Sequence, residues 1–320
     1  MLILNDGDIR SLGVNWGTLA DCVERALLAR EAGDYAQPIK PYLRYGDPRN
    51  RIIAMPAYLG GEFDTAGIKW IASFPGNRDR GLPRAHGVIV LNRADTGEPY
   101  AILNGGMANV LRTAAVSGVV LGRYLKARPR EKLRVSIIGW GPIGRAHFEM
   151  CAALYGDVIE GFTLYDIGGV DESSIPVPWR GRTAVASSWE EAYEPCDVFI
   201  TCTVSSNRYI DRTPSKGSLL LHVSLRDYRA EALQDIQAVI VDDWDEVCRE
   251  NTDIELLHRE AGLTRQQTRS LADLVCRDAL ADFPPEEPVL FCPMGMAIFD
   301  LAVAGCLVKE ARSAGAGIEV

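Results

Sequence analysis

The residues with the clearest chemical meaning are Gly139-Trp140-Gly141-Pro142-Ile143-Gly144. This G-x-G-x-x-G run follows an apolar, β-favouring stretch, LRVSIIG, and opens a helical pattern from about Pro142 to Tyr155. The first glycine permits a tight turn, the second lets the backbone approach a pyrophosphate, and the third lets the helix pack on the sheet. Free N–H groups at the helix start then face the phosphates, and Pro142 suits a position whose N–H has no helical partner. Asp166 ends the next apolar run, GFTLYD, 22 residues beyond Gly144, where an acid reaches the ribose hydroxyls. That carboxylate repels a 2′-phosphate, no arginine follows directly in IGGVDESS, and Arg180 and Arg182 lie further along. The expected cofactor is therefore NAD rather than NADP. The plainer alternative is a glycine-rich turn without a ligand and an aspartate that caps a loop.

Charge supplies a second signal. The chain has 320 residues, with 34 Lys and Arg against 43 Asp and Glu and a net charge of −9, which argues against a nucleic-acid or anionic-membrane partner. Residues 40 to 84 run the other way, with eight basic against four acidic side chains, and point to a small anionic substrate. A solvated basic surface is the simpler explanation of the same count. Arg112 is more demanding, because it lies inside the apolar helical run ANVLRTAAVSGVVLG and needs a carboxylate, either a substrate's or that of a core Asp or Glu.

The elements that must hold these residues divide the chain. A charged stretch, KARPREK at 126 to 132, separates two kinds of pattern. After it, short apolar runs (LRVSIIG, FTLYD, DVFITCT, SLLLHVS, AVIVDDW) alternate with helical segments, including one near Trp189 to Glu194, and predict a Rossmann-type doubly wound parallel sheet. Before it, NRIIAMPAY, GIKWIASF and HGVIVLNRADTGEPYAIL, with a turn at Asp95 to Gly97, predict an antiparallel sheet in an α+β domain. The C-terminal helical run MAIFDLAVAGCLVKEARSAG is expected to pack back on that first domain. The predicted division is residues 1–125 with 296–320 for substrate binding and dimerisation, and 126–295 for the cofactor. The eight cysteines form no C-x-x-C pair and the four histidines no ligand spacing, so no metal is expected and most cysteines read as small core residues of a reducing compartment. Acids at Asp6 and Asp8 do not suit a secretory signal, and Arg112 and Arg123 break the apolar stretch from 108 to 125. A cytoplasmic protein without a membrane span is expected.

Taken together, Met55-Pro56, Ile68-Lys69-Trp70, Pro75 to Asn77, Thr96-Gly97, Leu111-Arg112-Thr113-Ala114-Ala115, the glycine loop, Asp227 after a strand and Met294-Gly295 before a helix resemble the ornithine cyclodeaminase and μ-crystallin family over most of the chain. The resemblance implies a substrate-carboxylate clamp of Arg44, Lys69 and Arg112, with Asp227 as the acid/base and Lys69 beside it in the catalytic set. It implies cofactor contacts from Thr113, Gly139, Gly141, Pro142, Ile143, Gly144, Asp166, Thr203, Met294 and Gly295, and a homodimer joined through the N-terminal sheets. The plainer alternative for Asp227 is a cap on the helix near Arg229.

Two departures qualify the resemblance. The cyclodeaminases' G-H-P is Ser73-Phe74-Pro75 here, and the glycine pair ahead of their aspartate is Leu225-Arg226. The combination WIASFPGN and GLPRA resembles instead the branch that makes 2,3-diaminopropionate for siderophores and peptide antibiotics. That branch implies NAD-dependent oxidation of N-(2-amino-2-carboxyethyl)-L-glutamate and hydrolysis to 2,3-diaminopropionate and 2-oxoglutarate. A substrate with three carboxylates gives a use to Arg78, Arg80, Arg84 or Arg226. Ornithine cyclodeamination, ketimine reduction, alanine dehydrogenation and a crystallin-like binding role without turnover are the alternatives on the same scaffold.

Overall fold

A computed structural model describes residues 1–320 apart from Pro195 and Ser206, and without the side chain of Arg78. The chain divides into two compact units, Met1–Val116 with Gly295–Val320, and Ser117–Met294. The division falls inside the long helix Gly105–Ala127, ahead of the charged stretch that marks it in the sequence. The run TAAVSGVV continues across Val116 and Ser117 and carries no compositional sign of such a boundary.

The first unit is built on a sheet of β1 (Leu2–Leu4), β2 (Tyr35–Ala36), β3 (Tyr42–Leu43), β4 (Arg51–Leu59), β5 (Thr65–Ser73), β6 (Ala85–Arg93), β7 (Pro99–Asn104) and β16 (Ile318–Glu319). Strands β4 to β7 form the antiparallel meander that the sequence predicts. The turn between β6 and β7 closes with Gly97 at φ +75° and its amide on the Arg93 carbonyl at 2.9 Å. The sheet is not wholly antiparallel, however, because β1 adds to β7 in parallel. A three-residue strand at the chain start carries too little pattern to reveal its partner.

The helix Ala297–Ala314 packs on the helix Trp16–Glu31 and across β4, β5 and β6, as its apolar spacing predicts. Met55, Leu59, Ile89 and Leu91 are buried in the core of this unit. Cys22 and Cys306, 284 residues apart, are joined in a disulfide between the two helices, which corrects for that pair the expectation of free core thiols. The other six cysteines are free.

The second unit has β8 (Leu133–Ile138), β9 (Ile159–Tyr165), β10 (Thr183–Val185), β11 (Val198–Thr201), β12 (Leu219–His222), β13 (Ala238–Val241), β14 (Thr268–Ser270) and β15 (Val289–Cys292). Their order is β10-β9-β8-β11-β12-β15-β13-β14, and every pairing is parallel. Strands β11, β12, β13 and β15 are buried at every position, which is why their sequences lack polar alternation. The order reverses between β8 and β11, so loops leaving the C-terminal ends of those neighbours splay apart and open the crevice where doubly wound sheets bind ligands. Among the described residues no helix is long and apolar enough to cross a membrane, and no group of His, Cys, Asp and Glu could hold a metal ion.

Candidate functional site

The glycine loop leaves the end of β8. Gly139 has φ +95°, and a Cβ there would lie 2.6 Å from the Cys202 carbonyl at the end of β11; a Cβ at Gly144 would lie 2.0 Å from the Gly139 oxygen. Both positions are therefore glycine for reasons internal to the fold. Gly141 differs, since nothing lies within 4 Å of its Cβ position, and that side of the loop is open to a ligand. Gly141 caps the helix Pro142–Tyr155 without a side chain, with Pro142 in the first turn, so the amides at its start keep their capacity for an anion. Asp166, just past β9, accepts the amides of Trp140 and Gly168, each at 2.7 Å, which fixes its carboxylate beside the loop with lone pairs to spare. Arg180 donates to the Ile175 and Ser173 carbonyls and Arg182 to that of Ile159. The glycine loop, the uncapped helix start and the acid at the strand end together fit a nicotinamide dinucleotide.

A second cluster forms past the ends of β11, β12 and β15 in the same unit. Asp227 is fully buried, and its carboxylate accepts hydrogen bonds from the Thr203 and Ser224 hydroxyls. It caps no helix, because the short helix Ala230–Leu233 starts at Arg229 with no side-chain cap. The turn that presents it carries Leu225 at φ +68°, a left-handed conformation that costs a side-chain-bearing residue energy and suits glycine. The departure at this position thus keeps the conformation that a glycine would adopt. Arg226 donates to the Glu250 carbonyl. Met294 donates its amide to Asp242 at 3.0 Å.

The first unit carries the cationic cluster. Lys69 on β5 lies 2.9 Å from both Asp300 and Asn109, and Arg112 donates to Asp300 at 2.8 Å and to Asn109 at 2.9 Å. Asn109 and Arg112 share a helix face at i and i+3, and Asp300 comes from the C-terminal helix. The carboxylate that the buried Arg112 requires is thus Asp300, the one acid in the apolar stretch AIFDLAVAGCLV of that helix. Lys40 is buried as well and holds the Gly295 carbonyl at 2.7 Å. Gly295, at φ +87°, holds a conformation that strains any other residue, and a Cβ there, 2.8 Å from the Arg112 guanidinium, would push that side chain aside. Asp300 is the sole fully buried acid in this unit among the described residues. Burial, then the charge of Arg112, lowers the Lys69 ammonium to about 7.

The remaining expected residues are placed less centrally. Arg44 is exposed, its guanidinium 5.2 Å over the Tyr42 ring. Thr113 turns its hydroxyl onto the Asn109 carbonyl at 2.7 Å. Arg80 is exposed, Arg84 donates to Ser73, and the side chain of Arg78 lies outside the described residues. Lys40, Asn109, Asp300, Thr201, Ser224, His222 and Asp253 belong to these clusters and are not singled out as site residues by sequence. Of these, Asp300 is an acid among apolar residues in the sequence, but nothing there pairs it with Arg112.

A doubly wound sheet with such a loop defines a dinucleotide-binding oxidoreductase. The chain belongs to the ornithine cyclodeaminase/mu-crystallin family, whose model matches residues 8–315. It is 34% identical to N-((2S)-2-amino-2-carboxyethyl)-L-glutamate dehydrogenase of Staphylococcus aureus, over 99% of this chain and 97% of that one. Among solved structures, Δ(1)-pyrroline-2-carboxylate reductase of Thermococcus litoralis, in complex with NADH and L-proline, matches with a TM-score of 0.87 at 24% identity over 100% of both chains. An archaeal alanine dehydrogenase dimer with bound NAD matches with a TM-score of 0.82 at 25% identity, over 100% of this chain and 98% of that one.

Proposed function

We propose that the chain is an NAD-dependent dehydrogenase that oxidises N-(2-amino-2-carboxyethyl)-L-glutamate and releases 2,3-diaminopropionate and 2-oxoglutarate. The reaction belongs in the cytoplasm and feeds a siderophore or peptide-antibiotic pathway. The observation that carries this reading is the buried pair of Lys69 and Arg112 on one carboxylate, Asp300. Burying cations with too few anions is costly, and a substrate carboxylate offsets that cost when it binds. The name of the Staphylococcus aureus relative supports the particular substrate.

The Gly139–Gly144 loop and Asp166 would hold NAD, which would supply a hydride acceptor for the glutamate α-carbon. Lys69 and Arg112 hold a carboxylate of the substrate and fix the orientation of that carbon. Loss of hydride from a secondary amine leaves an iminium, and water adds to its carbon. Asp227 takes a proton from that water and returns one to the nitrogen as the carbon–nitrogen bond breaks, giving the keto acid and the free amine. Both of its oxygens already accept hydroxyl donors, so the carboxylate is oriented before any substrate arrives.

The deciding experiment incubates the protein with NAD⁺ and the synthetic substrate and follows NADH, 2-oxoglutarate and 2,3-diaminopropionate together. All three are expected in equal amounts, and Asp227→Asn is expected to slow their steady-state release by about 10²-fold or more. Turnover of L-ornithine, L-alanine or a cyclic imine with no action on this substrate would overturn the assignment, and binding without any turnover would leave a crystallin-like role.

A second copy of the chain completes the assembly in this reading. Register places Ala54, Pro56, Ile68, Trp70, Val88 and Val90 on one face of β4 to β6, opposite the face that bears Met55 and Lys69. Trp70 on that strip is 40% exposed.

A further inference from the structure

We infer that His222, joined to Asp227 through the hydroxyls of Ser224 and Thr201, is a positioning residue that exchanges a proton with the Asp227 carboxylate. The inference deepens the acid/base role proposed for Asp227 and rests on it. The Ser224 hydroxyl contacts both Asp227 and, at 2.8 Å, the Thr201 hydroxyl. Thr201 lies 2.7 Å from His222 Nδ1, and His222 Nε2 lies 2.7 Å from Asp253. Thr201, His222, Asp227 and Asp253 are all buried.

A hydroxyl has one proton, so these contacts are satisfied together only if the hydrogen bonds run in one direction along the whole chain. There are two directions. In one, Asp227 carries the proton and donates to Ser224, Ser224 to Thr201, Thr201 to His222 Nδ1, and neutral His222 donates Nε2–H to Asp253. In the other, imidazolium donates Nδ1–H to Thr201, Thr201 to Ser224, and Ser224 to an ionised Asp227. The two arrangements have equal charge and differ only in where one proton resides. Proton uptake from water and its return to the departing amine are the two demands that hydrolysis makes on Asp227, and the chain gives it a second place to keep that proton.

The surroundings fix the far end. Burial alone would raise the Asp253 carboxyl, but hydrogen bonds and charge from His222, the Tyr228 amide and Arg208 at 2.6 Å outweigh it and hold Asp253 below the ordinary range, as an anion. The other titratable groups that face the chain stay neutral. Tyr228, whose ring meets His222 edge-on at 4.9 Å, is raised by burial. Tyr209 and Cys202 are raised by burial and then by the charge of Asp227. Cys292 is raised by burial and then by the charges of Asp253 and Asp242. Arg208 remains the one cation on Asp253 besides His222 among the described residues. Asp253 also receives the Asp227 amide at 3.1 Å and gives its own amide to the Leu225 carbonyl at 2.8 Å, so the acid that orients the imidazole also pins the strained turn.

The test has two arms. In the NAD⁺-loaded protein, side-chain nitrogen NMR of the four histidines, with His222 assigned by its loss in His222→Gln, should show the Nδ1 signal of His222 change type when Asp227→Asn is introduced. In a Thr201→Val background the same change should no longer reach it. A His222 signal unmoved by Asp227→Asn, or moved equally with and without the Thr201 hydroxyl, overturns the inference. In turnover, Thr201→Val should lower kcat about tenfold with KM within about twofold, because valine keeps the shape and removes the hydroxyl, and Thr201→Ser should restore the rate. Unchanged kcat in Thr201→Val would also overturn it. If the wild-type protein does not turn over the substrate, the functional assignment falls, and the NMR arm still decides the relay.

Discussion

Lys69 is a residue whose chemistry is altered by where the chain puts it. Its ammonium is lowered to about 7 by burial and by Arg112, so it is charged and able to grip a carboxylate below that pH and loses this grip above it. kcat/KM for an anionic substrate should therefore fall as pH rises through about 7, and in Lys69→Met the profile should lose that limb while remaining low throughout; an identical limb in the variant would assign it elsewhere. Arg112 shares Asp300 with Lys69, and Arg112→Ala should cost about 2 to 5 kcal/mol in kcat/KM for the substrate, with NAD⁺ affinity changed far less. Near-normal kinetics in a folded Arg112→Ala protein would leave the arginine a purely structural partner of Asp300. Arg112 was conspicuous in the sequence because a guanidinium inside an apolar helix demands an explanation. Its partner was not, because Asp300 lies 188 residues away and only the fold brings them together. The same holds for His222, whose companions come from a neighbouring strand end, a loop and the start of a helix, and whose own run, LLLH, reads only as a buried strand.

At the scale of elements, the strand–loop–helix around Gly139 to Gly144 was legible almost to the residue, because its glycines, Pro142 and the flanking apolar run all predict one geometry. The structure separates glycines required by packing from one whose Cβ position is open, and substitution can test what that open side serves. Gly144→Ala should lower stability, since its Cβ meets the Gly139 carbonyl at 2.0 Å and the helix must move. Gly141→Ala meets nothing within 4 Å and has an ordinary φ of −77°, so it should melt close to wild type yet bind NAD⁺ at least about tenfold more weakly by fluorescence titration. Equal NAD⁺ affinity in Gly141→Ala would mean that the cofactor does not approach that side of the loop. The parallel strands were legible for a similar reason, as uninterrupted apolar runs. The parallel pairing of β1 and the Cys22–Cys306 link were not, since both depend on which distant segments come to lie together.

For the whole molecule, the strands β4 to β6 pose the question of what covers their second face. The C-terminal helix covers the face bearing Met55 and Ile89, yet Ile68, Trp70, Val88 and Val90 on the other side are also apolar. That two-sided character blurs the polar alternation expected of a half-solvated antiparallel sheet, and it is the pattern a strand shows when both faces are buried. A second copy meeting this strip across a two-fold axis would bury it isologously, so that each substitution in the strip counts twice in the interface. Trp70→Glu is the sharp test, because it removes the most exposed aromatic of the strip and places two like charges near the axis without touching Lys69, whose side chain points to the opposite face. Light scattering at assay concentration should give the mass of a dimer for the wild-type chain and a shift towards half that mass for Trp70→Glu. A wild-type monomer would sink the dimer, and a Trp70→Glu protein that stays fully dimeric would move the interface to another surface.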